Sequence, residues 1–165
     1  MKILLNLIIL TLLTLSLSAQ QTLKVKSEAL TSNYNIQDSV CIKTRDGATL
    51  SLIVVRKKGD EKPYPVILQS TIYVRDKGRD IASLKRSVDH NYIGVIVYAR
   101  GKRFSPEEIW TYENDANDTY DGIEWISKQQ WCNGSIGMYG GSYNGFTQWA
   151  ACKKLHPALK TIVPY

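Results

Sequence analysis

G-S-I-G-M-Y-G-G-S-Y-N-G-F-T-Q-W-A-A-C-K-K, residues Gly134 to Lys154, is the stretch that decides how this chain folds. It reads as a strand, a sharp turn and a helix. Ser135 to Tyr139 sets Ile136, Met138 and Tyr139 among small residues, as a strand does. Gly140-Gly141-Ser142 forms the turn. Tyr143 to Leu155 is expected to run as a helix, with Phe146, Trp149, Ala150 and Leu155 available for an inner face. A turn this tight forces its apex residue, Ser142, into a backbone region that side chains avoid, and it needs small neighbours. Gly140, Gly141 and Gly145 supply them. The expected outcome is a serine hydroxyl lifted clear of a sheet at a helix N-terminus, where the dipole favours developing negative charge.

A serine in that setting is a nucleophile elbow, the catalytic turn of α/β-hydrolases. Two other readings compete. A glycine-rich strand-to-helix turn can cradle a phosphate, but Gly137, Gly140, Gly141 and Gly145 do not space as G-x-G-x-x-G, and no Gly-Lys-Ser/Thr follows. A plain structural turn with an incidental serine stays open on the motif alone. The strict G-x-S-x-G is absent, because Asn144 stands two after the serine and the glycine comes one later, at Gly145.

Residues 1–19 read as a secretory signal peptide: Lys2, then a Leu/Ile-rich run from Ile3 to Leu17, then Ser18 and Ala19 as small residues at a cleavage site. The run is shorter than the ~20 residues a spanning helix needs, so removal is expected and a stable membrane anchor is not. Export to the periplasm or the extracellular space follows from this reading. The net charge is +6, but the basic residues are scattered and no aromatic-interleaved basic stripe exists, so no nucleic-acid partner is expected. Three cysteines, Cys41, Cys132 and Cys152, form no C-x-x-C or Cys/His ligand spacing. No metal site and no cofactor are expected, and Cys152 reads as a buried filler on the helix after the elbow. Asp115, Asp118 and Asp121 share roughly one helix face. Ligands on one rigid helix cannot wrap a calcium ion, so a solvated acidic first turn is the preferred reading.

Residues 20–38 read as a polar leader and residues 39–165 as the folded part. Ser39 to Thr44 and Ala48 to Lys57 read as strands around an Asp46-Gly47 hairpin turn. Pro65 to Thr71 and Tyr92 to Ala99 are short apolar runs, the mark of strands covered on both faces. A helix is expected within Arg79 to His90, another over Tyr112 to Gln130, and a last strand at Leu159 to Pro164. A hairpin followed by strand–helix alternation predicts an α/β fold with a mostly parallel sheet and helices on both faces.

The run I-E-W-I-S-K-Q-Q-W-C-N-G-S-I-G-M-Y-G-G-S-Y-N-G-F-T-Q-W-A-A, Ile123 to Ala151, resembles the CocE/NonD hydrolases, the Xaa-Pro dipeptidyl-peptidase-like family of esterases, acylases and peptidases. The likeness extends over Val40 to Pro164 and includes T-R-D-G-A-T-L, P-V-I-L, A-R-G and L-K-T-I-V-P. The family elbow, G-x-S-Y-x-G, fits Gly140 to Gly145. The resemblance implies an α/β-hydrolase fold, broken off after the strand that follows the nucleophile helix, with the family's cap and C-terminal β domain absent. It implies Ser142 as nucleophile, the Tyr143 backbone N–H as one oxyanion donor and the Tyr73 hydroxyl as the other. The family has proline before that tyrosine, where this chain has Ile72. Arg100-Gly101 matches a family Arg-Gly, but the aspartate usual two residues earlier is Tyr98, so an ion pair relying on it is not expected. Gln148 and Trp149 match as well, as packing residues.

An elbow serine also needs a histidine base and a carboxylate, which in this fold follow it in the chain. After Ser142 the sequence has one histidine, His156, and no Asp or Glu. The expectation is therefore an exported serine hydrolase acting on a small ester, amide or peptide, read here as an N-terminal portion that needs a C-terminal portion for activity. A non-catalytic exported remnant or binding protein is the alternative.

Overall fold

The computed structural model describes residues 33–165 and Ser16; otherwise the expected export signal, and the leader as far as residue 32, lie outside the described residues. Nine elements follow in order: β1 (Tyr34–Lys43), β2 (Thr49–Lys57), β3 (Tyr64–Thr71), α1 (Lys77–Asp89), β4 (Ile93–Tyr98), α2 (Asp115–Ser127), β5 (Cys132–Gly140), α3 (Tyr143–Cys152) and β6 (Leu159–Pro164). The six strands form one sheet in the order β1-β2-β4-β3-β5-β6. β2 runs antiparallel to β4, while β3/β4, β3/β5 and β5/β6 are parallel. This is the expected α/β-hydrolase architecture, a mostly parallel sheet with helices on both faces.

Register explains the core. Val54 pairs with Val95, Val95 with Leu68, Leu68 with Met138 and Met138 with Ile162, so one row of apolar side chains crosses five strands. The first four are at most 2% exposed. Neighbouring residues of β4 then serve opposite faces. A Cβ on Gly94 would lie 2.7 Å from the Leu84 carbonyl oxygen of α1, and one on Gly122 of α2 would lie 3.3 Å from Val97. Gly94 and Val97 point to opposite sides of the strand, so α1 covers one face and α2 the other. α3 packs beside α2 and on β3, β5 and β6.

Several expectations are corrected. The first strand begins at Tyr34, not Ser39, because alternation of inward and outward residues already holds from Tyr34 onward. The helices are Asp115–Ser127 and Tyr143–Cys152, shorter than the runs Tyr112 to Gln130 and Tyr143 to Leu155. Of the inner face expected for α3, Ala150 is buried, Phe146 is half-buried, and Trp149 and Leu155 are not inward. Trp149 is 62% and Leu155 76% exposed, and the buried face is Tyr143, Asn144, Gly145, Thr147, Gln148, Ala150 and Ala151. That face is polar because it meets strand ends whose backbone groups need partners. Thr147 Oγ1 donates to the Ser70 carbonyl (2.9 Å). Gln148 Nε2 donates to the Gly140 carbonyl (3.0 Å), and its Oε1 accepts from Val163 N–H (2.8 Å). Cys152 is half-buried rather than a core filler, Cys132 is buried, Cys41 is exposed, and none is paired.

The acidic turn of α2 is not a solvated one. Asp115 and Asp118 are buried. Asp118 takes a two-point hydrogen bond from Arg100, Nε to Oδ2 at 2.8 Å and Nη2 to Oδ1 at 2.5 Å. Arg100 Nη1 also donates to Asp46 Oδ2 at 3.0 Å, and Arg45 pairs with Asp121. The guanidinium therefore ties the hairpin turn, the loop after β4 and the start of α2 together. Tyr98, where the family pattern has an aspartate, donates its Oη to buried Asp80 of α1 at 2.6 Å.

Two outcomes follow from the Arg100 clamp. Arg100→Ala leaves Asp118 buried and uncompensated and should lower unfolding free energy by about 3 kcal/mol in urea titration; a loss below ~1 kcal/mol would show that Asp118 finds other solvation. Hydrogen bonds from Thr44 and then Arg100 hold the Asp46 carboxyl down at about 2, against an ordinary value of 3.8. Its contribution is thus complete above 3.8 and fades as pH falls through about 2. Wild type should exceed Asp46→Asn in stability at neutral pH, and the gap should close near pH 2.

Candidate active site

β5 delivers the chain to the elbow and α3 takes it away. Ser142 has φ 56° and ψ −129°, a positive-φ conformation that costs a non-glycine residue roughly 1–3 kcal/mol. Close approaches on each side hold it there. At Gly140, φ is 142° and a Cβ would stand 2.7 Å from Asn144 Cβ. A Cβ on Gly141 would stand 2.8 Å from the Tyr165 ring, and one on Gly145 3.3 Å from the Gly140 carbonyl oxygen. The backbone closes the turn from the other strand: Ser142 N–H donates to the Tyr165 carbonyl at 3.2 Å, and Tyr165 N–H to the Gly140 carbonyl at 3.3 Å.

The Ser142 side chain is exposed, and its Oγ lies 3.0 Å from Tyr73 Oη. Tyr73 follows β3 and is anchored without the proline of the family pattern: its N–H donates to Thr71 Oγ1 at 3.0 Å. In the first turn of α3, the N–H groups of Asn144, Gly145 and Phe146 bond back to the carbonyls of Gly141 and Ser142. The N–H of Tyr143, one residue after the serine, has no backbone acceptor among the described residues. A phenolic O–H and a helix-start N–H are the two donors an oxyanion would need.

The Tyr143 side chain is buried and directed away from solvent. Its Oη donates to Asp115, 2.9 Å from each carboxylate oxygen, and lies 3.5 Å from Tyr112 N. Burial pushes the Asp115 carboxyl above its ordinary range against the opposing Tyr143 bond, and burial also pushes the Tyr143 phenol up. Tyr73, Tyr112 and Phe146 surround the ring, with centroids 6.3, 5.2 and 5.7 Å away. Beside the elbow an open cleft of about 850 Å³ runs past Tyr73, Gly140, Gly141 and Asn144 towards Arg75, Arg86 and Lys102.

Neither histidine is hydrogen-bonded to Ser142. His156 Nδ1 accepts from Ala158 N–H at 3.0 Å, Nε2 lies 2.9 Å from Glu124 Oε2, and the ring packs on Tyr120. His90 caps α1, with Nδ1 2.8 Å from the Arg86 carbonyl. The aspartates weighed as cation ligands are each engaged: Asp115 by Tyr143, Asp118 by Arg100, Asp121 by Arg45. Sequence reasoning placed Ser142, Tyr143, Tyr73 and the three elbow glycines together. It took Asp115 for a solvated residue and missed its bond to Tyr143, 28 residues away in the chain.

A match to the family described as X-Pro dipeptidyl-peptidase (S15 family) spans residues 46–165. Cocaine esterase of Rhodococcus sp. (strain MB1 Bresler) is 36% identical over 138 residues, which is 80% of this chain and 24% of that protein. A CocE/NonD family hydrolase of Staphylococcus aureus superposes with a TM-score of 0.68 at 27% identity, covering 77% of this chain and 26% of its own. An α-amino acid ester hydrolase superposes at 0.66 and 31% identity, covering 81% and 26%. The chain thus spans about a quarter of the length of these relatives. With a family match over residues 46–165, most of its length, the chain belongs to the X-Pro dipeptidyl-peptidase (S15) family.

Proposed function

We propose that this chain carries the nucleophile and oxyanion hole of an exported serine hydrolase that cleaves a small ester, amide or peptide through an acyl-enzyme. The observation that carries the reading is the 3.0 Å approach of Tyr73 Oη to Ser142 Oγ on a strained elbow. Ser142 Oγ forms a bond to the substrate carbonyl carbon while the C=O electron pair moves onto oxygen. The serine proton passes to a base, the Tyr73 O–H and Tyr143 N–H hold the oxyanion, and the leaving group departs with a proton. Water then repeats the sequence on the acyl-serine.

A serine hydroxyl is a weak nucleophile without a base. Both ring nitrogens of His156 are engaged elsewhere, and no acid follows Ser142 in the sequence. The 165-residue chain is therefore proposed to be inactive by itself and to need a histidine and carboxylate from further polypeptide. The same observation favours the second reading, a non-catalytic exported protein, if Ser142 proves unreactive even with a base supplied.

Added imidazole separates the two. The chain alone should not turn over p-nitrophenyl esters or Xaa-Pro amides above background. With imidazole as an external base, a fluorophosphonate should label Ser142, and Ser142→Ala should remove the label. Tyr73→Phe should slow labelling by ~10²–10³, the usual effect of losing one oxyanion donor. Turnover by the unaided chain would reveal a base among these residues. No label on Ser142 would favour the non-catalytic reading, and an unchanged rate in Tyr73→Phe would remove Tyr73 from the site.

A further inference from the structure

Asp115 opens α2, 28 residues from Tyr143 in the chain, and is 6% exposed. Its carboxylate meets the Tyr143 hydroxyl with both oxygens at 2.9 Å. Tyr112, with a left-handed φ of 69°, brings its N–H within 3.5 Å of the same hydroxyl. The ring between is 7% exposed and enclosed by aromatic neighbours. A phenylalanine over an apolar residue would fill this space without burying a carboxylate, which is costly to desolvate. What the hydrogen bond adds to packing is direction. It fixes the far end of the Tyr143 side chain, and the near end is the residue whose backbone N–H opens α3 beside Ser142.

We propose that Asp115 is a positioning residue for acyl transfer: by holding the Tyr143 hydroxyl it aims the Tyr143 backbone N–H at the position of the oxyanion. The inference rests on the reading of Ser142 and Tyr143 given above. Close contacts at Gly140, Gly141 and Gly145 and two backbone bonds hold the turn itself, while the Asp115 bond holds the Tyr143 side chain that follows it. Ser142 is in a strained conformation that relaxes if either flank gives way. Tyr143 is the residue through which α2 grips the elbow turn, while Gln148 and Thr147 grip α3 further along. The carboxylate is also well placed to accept, since it sits at the start of α2, where the helix dipole favours negative charge.

The test combines two readouts in the 165-residue protein. One is imidazole-supported fluorophosphonate labelling of Ser142, expressed per folded molecule from circular dichroism. The other is the Tyr143 amide resonance of ¹⁵N-tyrosine-labelled protein. Asp115→Ala and Tyr143→Phe should each slow labelling by about 10–100-fold, the scale of a sub-ångström to 1 Å misplacement. The double variant should be no slower than either single one, because both break the same link. Asp115→Asn, whose amide oxygen still accepts, should lose much less than Asp115→Ala. The Tyr143 amide resonance should move in Asp115→Ala and stay near its place in Asp115→Asn. If Asp115→Ala does not fold, Tyr143→Phe and Asp115→Asn carry the comparison. A folded Asp115→Ala with wild-type labelling and an unmoved amide resonance overturns the proposal, as does full additivity of the two substitutions. Failure of the wild type to label sinks the nucleophile reading instead, and the amide resonance still decides whether Asp115 sets the Tyr143 N–H.

Discussion

The backbone of Ser142 is held where a side chain does not settle by choice, and the junction of β5, α3 and β6 is built around holding it. At φ 56° the residue would relax if either flank had room. It has none, because Gly140 meets Asn144, Gly141 meets Tyr165 and Gly145 meets the Gly140 carbonyl. Two hydrogen bonds then lock the turn to the residue after β6. Strain of this kind persists only where the surroundings over-determine it. The result is an exposed hydroxyl on a rigid support, with a second hydroxyl, that of Tyr73, brought to it from another strand.

The sheet that carries the elbow is tied to its helices on both faces. The α1 face carries the Tyr98–Asp80 bond, which anchors β4 to its helix with a polar contact inside the core. The α2 face carries the Arg100 clamp and, one turn away, the Asp115–Tyr143 bond. Asp115 and Asp118 thus divide the work of one helical turn, one gripping the elbow and the other the loop after β4. Both are buried, and both are satisfied by partners that arrive from other segments.

What could be read from the sequence was what local pattern encodes. The glycine spacing around Ser142 reveals the turn, and the runs P-V-I-L and I-G-V-I-V reveal strands covered on both faces. The strand from Tyr34 was readable in principle from its alternation, but polar residues at Asn35, Gln37 and Asp38 disguise it. The inner face of α3 was not readable. Amphipathic logic turns Trp149 inward, whereas the structure turns Gln148 inward because backbone groups of Gly140 and Val163 wait there. The burial of Asp115 and Asp118 was hidden for the same reason. An acidic residue early in a helix is ordinarily solvated, and only the fold brings Tyr143 and Arg100 to it. Tyr73 was legible from the family likeness, since nothing in the composition of its loop points to a role.

The polar inner face of α3 has a consequence for how the molecule assembles. Helices usually dock early because apolar stripes stick to a forming core without regard to detail. α3 has few apolar inner residues, and two of its anchors, Gln148 and Thr147, need partners on β6, at the end of β5 and at the end of β3. It therefore has little reason to settle before those strands are in register. A nascent chain holding only β1 to β5 would gain the sheet and α1 and α2, while the turn bearing Ser142 stayed free to relax. The geometry at Ser142 thus depends on β6 as much as on β5, and it should form only once β6 has joined the sheet and be lost when β6 loosens.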